Sequence, residues 1–279
     1  MIKKVVVFAV LFTAGFTAIA PNTAMSPIMA SSAIDKYVVT AHRGSSGSAP
    51  ENTLSAFRKA AETGAGYSEL DVQETADGVV MVMHDDNVRR TTGINKNMWD
   101  IESGELKKAS AGAWYGAAFQ DERVPTLEET IAAVKGKTRL NIELKNNGHQ
   151  QRLAEKTVKL IEDAGFVKDC TITSFDVNLI RQVKAINRAI KTGLIVGEKP
   201  RKNPEQLFES GDYDVLSAAY PLIDKAFMQS AAAHHKEVYA WTVNDKARMH
   251  QMLDLGVNSV ITNYPEQLIE VLKERGARD

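Results

Sequence analysis

From residue 37 onward the chain alternates between two hydrophobic rhythms. Short apolar or alternating runs at 37–42, 67–73, 79–84, 139–145, 170–175, 191–196, 213–218, 237–243 and 258–263 read as strands. The stretches between them space their apolar residues three and four apart. In "TLSAFRKAAETG", Leu54, Phe57 and Ala61 fall on one helical face; "QQRLAEKTVKLIEDAG" and "DVNLIRQVKAINRA" behave likewise, the former closed by a glycine. Repeated β-then-α units over roughly 230 residues predict a parallel sheet, and this length suits a (β/α)8 TIM barrel. A doubly wound sheet is the alternative, but no G-x-G-x-x-G follows the first strand. Nine strand candidates compete for eight barrel places, so one is surplus. The link "ETADGVV" holds a D-G turn and has no room for a helix, so the second and third candidates cannot be joined by an ordinary crossover.

Residues 86–125 break the rhythm. They are rich in Gly, Asn, Lys and aromatics (Trp99, Trp114, Tyr115, Phe119) and end at "VPTLEET". An irregular stretch of that length in a compact domain is usually functional, and it reads as a small subdomain over one end of the barrel.

Composition narrows the function classes. The 34 Lys+Arg against 35 Asp+Glu leave no basic stripe for a nucleic acid and no excess for electrostatic docking on a membrane. The N-terminus stands apart: "MIKK" precedes the apolar "VVVFAVLFTAGFTAIA", short for a span of about 20 apolar residues. This is the pattern of a secretory signal peptide, residues 1–33, with Ser31-Ser32-Ala33 a better cleavage site than Ala18-Ile19-Ala20, which Pro21 follows. The expectation is a mature domain over 34–279 that is secreted: extracellular, wall-associated or periplasmic, with no stable membrane insertion after cleavage. The single cysteine, Cys170, excludes an intramolecular disulfide and reads as a small buried strand residue.

Unusual polar residues gather at the C-terminal ends of predicted strands, the rim where barrel enzymes build their sites. His42 and Arg43 end the first candidate, Glu69 and Asp71 the second, His84 the third, Glu143 and Lys145 the fourth, and Trp241 the eighth. Glu69 and Asp71, two apart, point to one side of a strand. If Glu143 joins them, each pair of charges at about 5 Å costs on the order of 3 kcal/mol at an effective dielectric of 20. A hard divalent cation removes that repulsion, and oxygen-only ligands suit Ca²⁺ or Mg²⁺ rather than zinc. Two imidazoles can serve as base and acid in one turnover near neutral pH. Arg43 supplies a planar fork for an oxyanion and Lys145 a point charge, a set that describes a phosphate-ester site. Glu51 reads as a brace for Arg43 or a metal-bound water, or as part of the turn. Asn52 reads as the cap of the following helix or, with Glu51, as a residue bracing the site from behind, and Trp241 as core or as an apolar wall for the substrate.

With these residues assembled, the chain resembles the glycerophosphodiester phosphodiesterase family. The resemblance rests on "AHRG…PENT", "ELDVQETADGVVMVMHDDNVRRTTG", "VPTLEE", "NIELK", "TSF" and "WTVND…GVNSVITNYP", in order from residue 41 to 265. It implies a TIM barrel with a small insertion after the third strand, and metal-assisted hydrolysis of glycerophosphodiesters to glycerol 3-phosphate and an alcohol. It implies Glu69, Asp71 and Glu143 as ligands of one divalent cation, calcium ahead of magnesium. It makes His42 and His84 the acid–base pair, and Arg43 and Lys145 phosphate contacts. One departure is visible: the closing motif usually carries an aspartate where this chain has Asn263. The substrate is then a small phosphodiester or a glycerol-phosphate wall polymer such as teichoic acid, attacked by water or by the neighbouring glycerol hydroxyl. A glycoside hydrolase using Glu69 and Glu143, and a non-catalytic wall- or lipid-binding barrel, are the competing classes.

Overall fold

The computed structural model describes residues 38–199 and 205–276, so the expected signal peptide at 1–33 lies outside the described residues. Its strands in chain order are β1 (Val38–Ala41), β2 (Tyr67–Glu74), β3 (Val80–Val82), β4 (Arg139–Leu144), β5 (Cys170–Ser174), β6 (Lys191–Val196), β7 (Val215–Ala219), β8 (Glu237–Trp241) and β9 (Ser259–Thr262). All but β3 pair in parallel, and β1 bonds to both β9 and β2, which closes an eight-stranded ring. Helices α1 (Leu54–Thr63), α4 (Leu127–Val134), α5 (Leu153–Asp163), α6 (Val177–Ile186), α8 (Lys225–Ala233), α9 (Lys246–Leu255) and α10 (Pro265–Gly276) lie between and after the strands. Short helices α2 (Arg89–Thr92), α3 (Ser103–Leu106) and α7 (Gln206–Glu209) complete the set. Among the described residues no helix is long and apolar enough to cross a membrane.

The surplus strand candidate is β3. It runs antiparallel to β2, Val72 opposite Val82, through the turn at Asp77-Gly78, where Gly78 takes a φ of +75°. The third candidate therefore does not add a barrel strand, and His84 sits beyond the arm of a hairpin rather than at the end of a ring strand. Residues 86–125 follow this arm and precede α4, within the β2-to-β4 connection. They pack Val88, Met98, Ile101, Leu106 and Val124 with Met81 and Met83 into an apolar cluster of their own.

Strand alternation explains why the barrel was readable. Leu70, Val72, Ile142, Leu144 and Ile172 pack outward against helices with Phe57 and Ile161, while Val39, Leu216, Val238 and Val260 do so on the opposite side. The other face of these strands and their neighbours carries small polar residues paired between adjacent strands, Thr40 with Ser259 at 2.8 Å and Thr173 with Asn141 at 3.2 Å. On α1 the buried face is Ala56, Phe57 and Ala60, with Leu54 and Ala61 on its margins.

Gly193 on β6 belongs to this tight interior: a Cβ there would lie 2.9 Å from the Val215 Cβ and 3.0 Å from the Thr173 Cγ2. Gly193→Val forces two β-branched neighbours apart and is expected to cost about 1–3 kcal/mol. Urea unfolding checks this: the midpoint falls at an unchanged m value.

Candidate active site

The site begins at the end of β1. His42 donates its backbone N–H to the Thr262 carbonyl at 2.8 Å and continues the strand's ladder by one step. The chain then turns through Arg43 and Gly44, both left-handed at φ 54° and 77°. For arginine this conformation costs on the order of 1–3 kcal/mol. It aims the Arg43 backbone N–H at Glu69 Oε2, 2.9 Å away. Gly44 is required by close approach as well, since a Cβ would sit 2.7 Å from the Ala56 carbonyl carbon on α1.

The step "PENT" divides differently from its sequence reading. Thr53, not Asn52, caps α1: its backbone is extended and its side chain accepts from the Ala56 N–H. Asn52 takes a left-handed φ of 58° and turns its Nδ2 to Asp71 Oδ2 at 2.9 Å. Glu51 Oε1 accepts from Arg43 Nη1 at 2.8 Å.

Three carboxylates meet because of register. Asp71 on β2 pairs directly with Glu143 on β4, and Glu69, two residues earlier, shares the face of Asp71. Each offers an oxygen, and these oxygens lie within 4.8 Å of one another, all on buried side chains. Burial and the charges of Asp71 and Glu143 push the Glu69 carboxyl well above its ordinary value. Burial and Asp71 lift Glu143 to about 7, against the pull of Lys145. Asp71 is held low: burial opposes its charge, but Lys145 and Arg43 outweigh burial, with Lys145 Nζ at 3.5 Å and Arg43 Nε at 3.6 Å. Lys145 also bonds Glu143 at 2.9 Å. An oxygen-only set that resists carrying its full negative charge fits a hard divalent cation.

The histidines approach from opposite flanks. His42 Nδ1 meets Asn263 Oδ1 at 2.7 Å, so the amide oxygen accepts from Nδ1–H and Nε2 faces Glu69 Oε2 at 3.9 Å. Burial, reinforced by the Arg43 charge, lowers His42 to about 4, so it is a neutral imidazole at physiological pH. His84 Nδ1 donates to Asp85 Oδ1 at 2.8 Å, which leaves its Nε2 unengaged. Its backbone is fastened by Gln73, whose Nε2 donates to the carbonyls of Met83, His84 and Asp85 at 3.1, 3.2 and 3.0 Å.

A cavity of about 130 Å³ opens among these groups at the C-terminal rim of the ring. His42, Arg43, Glu69, His84, Glu143 and Lys145 line one side, and Phe175, Ile195 and Trp241 the other. Trp241 donates Nε1–H to the Ser217 carbonyl at 2.8 Å and meets Phe175 edge-on at 5.9 Å between centroids. Asp71 and Asn52 lie behind the lining, and Glu51 lies beside Arg43. The sequence gives no site role to Gln73, Phe175 or Arg90, and marks Asn263 only as a departure from the closing motif. All four stand inside the quoted motifs, but only the folded geometry shows that they touch the site.

Comparison with known proteins agrees with this arrangement. The residue profile of the glycerophosphoryl diester phosphodiesterase family matches residues 42–267. A glycerophosphodiester phosphodiesterase of Caldanaerobacter subterraneus subsp. tengcongensis is 35% identical over 243 residues, which cover 86% of this chain and 100% of that relative. One from Bacillus subtilis (strain 168) is 29% identical over 256 residues, 86% of this chain and 87% of its own. Among solved structures, an Oleispira antarctica phosphodiesterase in complex with the product sn-glycerol-3-phosphate superposes with a TM-score of 0.79 at 30% identity, covering 84% of this chain and 96% of that one. With a TIM barrel, a phosphate-ester constellation on its rim and a matching profile over most of its length, this chain belongs to the glycerophosphoryl diester phosphodiesterase family and is a hydrolase of glycerophosphodiesters.

Proposed function

We propose that the chain cleaves small glycerophosphodiesters with His42 as base, His84 as acid, and one divalent cation held by Glu69, Asp71 and Glu143. The observation that carries this reading is the convergence of two differently held imidazoles, two cationic side chains and three crowded carboxylates on one cavity. His42, neutral and with Nδ1 tied to Asn263, takes the proton of the attacking oxygen through Nε2. His84, oriented by Asp85, delivers a proton from Nε2 to the departing alkoxide. Arg43 and Lys145 hold the non-bridging phosphate oxygens by charge-assisted hydrogen bonds. Glu69, Asp71 and Glu143 would hold the cation, Ca²⁺ in preference to Mg²⁺, which when bound would supply Lewis acidity and offset the carboxylate repulsion. Trp241 and Phe175 form the apolar wall beside the substrate's organic part. Export through the leader at 1–33 belongs to the same proposal, supported by its basic start and apolar run.

His84→Ala is expected to lower kcat toward glycerophosphocholine by about 10²–10⁴-fold while calcium binding persists, the usual scale of general acid–base catalysis. Steady-state kinetics with calorimetry on the same preparation decides; a near-native kcat refutes the acid role. Arg43→Lys keeps the charge but loses the fork, and kcat/KM should fall by at least about tenfold; a mild effect leaves Arg43 a purely structural part. Excess chelator should stop turnover, with Ca²⁺ or Mg²⁺ restoring it, and full activity in the chelator sinks the cation site. Because Glu69 and Glu143 hold protons more tightly than ordinary carboxyls, the cation must displace protons on binding. Its affinity should therefore rise between about pH 6 and pH 8, with proton release measurable in buffers of different ionisation enthalpy.

A further inference from the structure

The insertion reaches the active site through one side chain. Arg90, on α2, donates Nε–H to Asp85 Oδ2 at 2.6 Å and an Nη2–H to Asp85 Oδ1 at 3.1 Å. The same guanidinium donates to Glu51 Oε2 at 2.9 Å through Nη1 and to Glu51 Oε1 at 2.7 Å through Nη2. Each carboxylate also serves a site residue with one of these oxygens: Asp85 Oδ1 accepts from His84, and Glu51 Oε1 accepts from Arg43. A continuous run of charge-assisted bonds thus links His84, Asp85, Arg90, Glu51 and Arg43.

An isolated surface ion pair contributes little, and the Arg90 side chain is 44% exposed. This arrangement differs in kind. One planar fork spans two carboxylates that are only 13% and 25% exposed, with four N–H···O bonds where a lysine offers a single point charge. Without it, two negative groups face each other across the space between the β1 loop and the hairpin arm. The Trp114 ring, also from the insertion, lies 6.0 Å from the guanidinium carbon.

We propose that Arg90 is a positioning residue for the phosphodiester reaction, gripping Asp85 to fix the imidazole of His84 and Glu51 to fix the guanidinium of Arg43, so that the insertion governs turnover in the ring. The proposal rests on the reading of His84 as the proton donor and Arg43 as the phosphate contact. It divides the effect of Arg90 between two kinetic constants: the Asp85 leg acts on kcat and the Glu51 leg on KM.

The test measures kcat and KM for glycerophosphocholine at saturating calcium in Arg90→Ala, Arg90→Lys, Asp85→Asn, Glu51→Gln, Asp85→Asn/Arg90→Ala and His84→Ala/Arg90→Ala. Arg90→Ala should lower kcat by about 10–100-fold, the usual cost of removing a group that orients a site residue, and raise KM. Asp85→Asn should reproduce the kcat loss and Glu51→Gln the KM rise. The Asp85→Asn/Arg90→Ala pair should have a kcat no lower than its worse single variant, and Arg90→Ala should add no kcat loss to His84→Ala. Arg90→Lys should fold and fall between wild type and Arg90→Ala; it carries the kinetic test if the alanine variant does not fold. Wild-type kcat in the Arg90 variants while His84→Ala is inactive overturns the proposal alone, as do kcat losses that multiply in the Asp85 pair. Wild-type kcat in His84→Ala overturns the acid role first, and this proposal with it.

Discussion

Everything at the rim of this barrel answers to one electrostatic constraint: three carboxylates forced together by strand register. Asp71 and Glu143 are direct partners on neighbouring parallel strands, and the two-residue pleat adds Glu69 to the same face. Closing the ring thus brings an oxygen of each within 4.8 Å of the others. The surroundings therefore divide the charge unevenly. At Asp71 the charges of Lys145 and Arg43 outweigh burial, and Asn52 adds a donor, so Asp71 stays ionised. At Glu69 and Glu143 burial and the charge of Asp71 outweigh Arg43 and Lys145, so both hold protons more tightly than ordinary carboxyls. The outcome is a cluster of oxygen ligands of a kind that fits a divalent cation. The strained Arg43 backbone belongs to the same solution, because its left-handed turn supplies a main-chain N–H to Glu69 in addition to the guanidinium.

The two histidines are held in contrasting ways. His42 extends a ring strand, is bonded to β9 through its backbone and to Asn263 through its ring, and sits in low-dielectric surroundings. Asn263 preserves the hydrogen bond that an aspartate would make, without placing another negative charge beside a site already crowded with them. His84 leans on a carboxylate that is itself held by Arg90, and Gln73 pins the carbonyls on either side of it. A neutral acceptor beside one imidazole and a charged one beside the other set the two rings apart chemically.

How much of this was legible in the sequence follows from the range of each interaction. The barrel was readable because alternation along "SELDV" and "NIELK" reports two faces at once, apolar toward the helices and polar toward the ring. The placement of His42, Arg43, Glu69, Asp71, Glu143 and Lys145 at strand ends was readable for the same reason, since period and end position are local properties. For Asn52 the sequence left two readings open, helix cap or brace of the site. Two cap-forming residues stand side by side in "ENTL", and a left-handed turn, set by the approach of the loop to α1 and Asp71, decides between them. Arg90 and Gln73 were invisible because their bonds depend on how a hairpin and an irregular stretch fold back, which no periodicity encodes. The hairpin itself was half visible: the D-G turn denied a crossover, but did not say that His84 would stand outside the ring.

That last displacement has a consequence for how such an enzyme can change. The three carboxylates, Arg43, Lys145 and one imidazole are mounted on a closed ring whose strand number and stagger tolerate little alteration. The other imidazole rides on a three-residue arm continuous with an appendage, and an appendage can be lengthened, shortened or rewritten without reopening the ring. The two imidazoles straddle the boundary between the geometrically constrained part of the molecule and its editable part. A change in the appendage can thus alter the surroundings of His84 while the carboxylate cluster on the ring keeps its register.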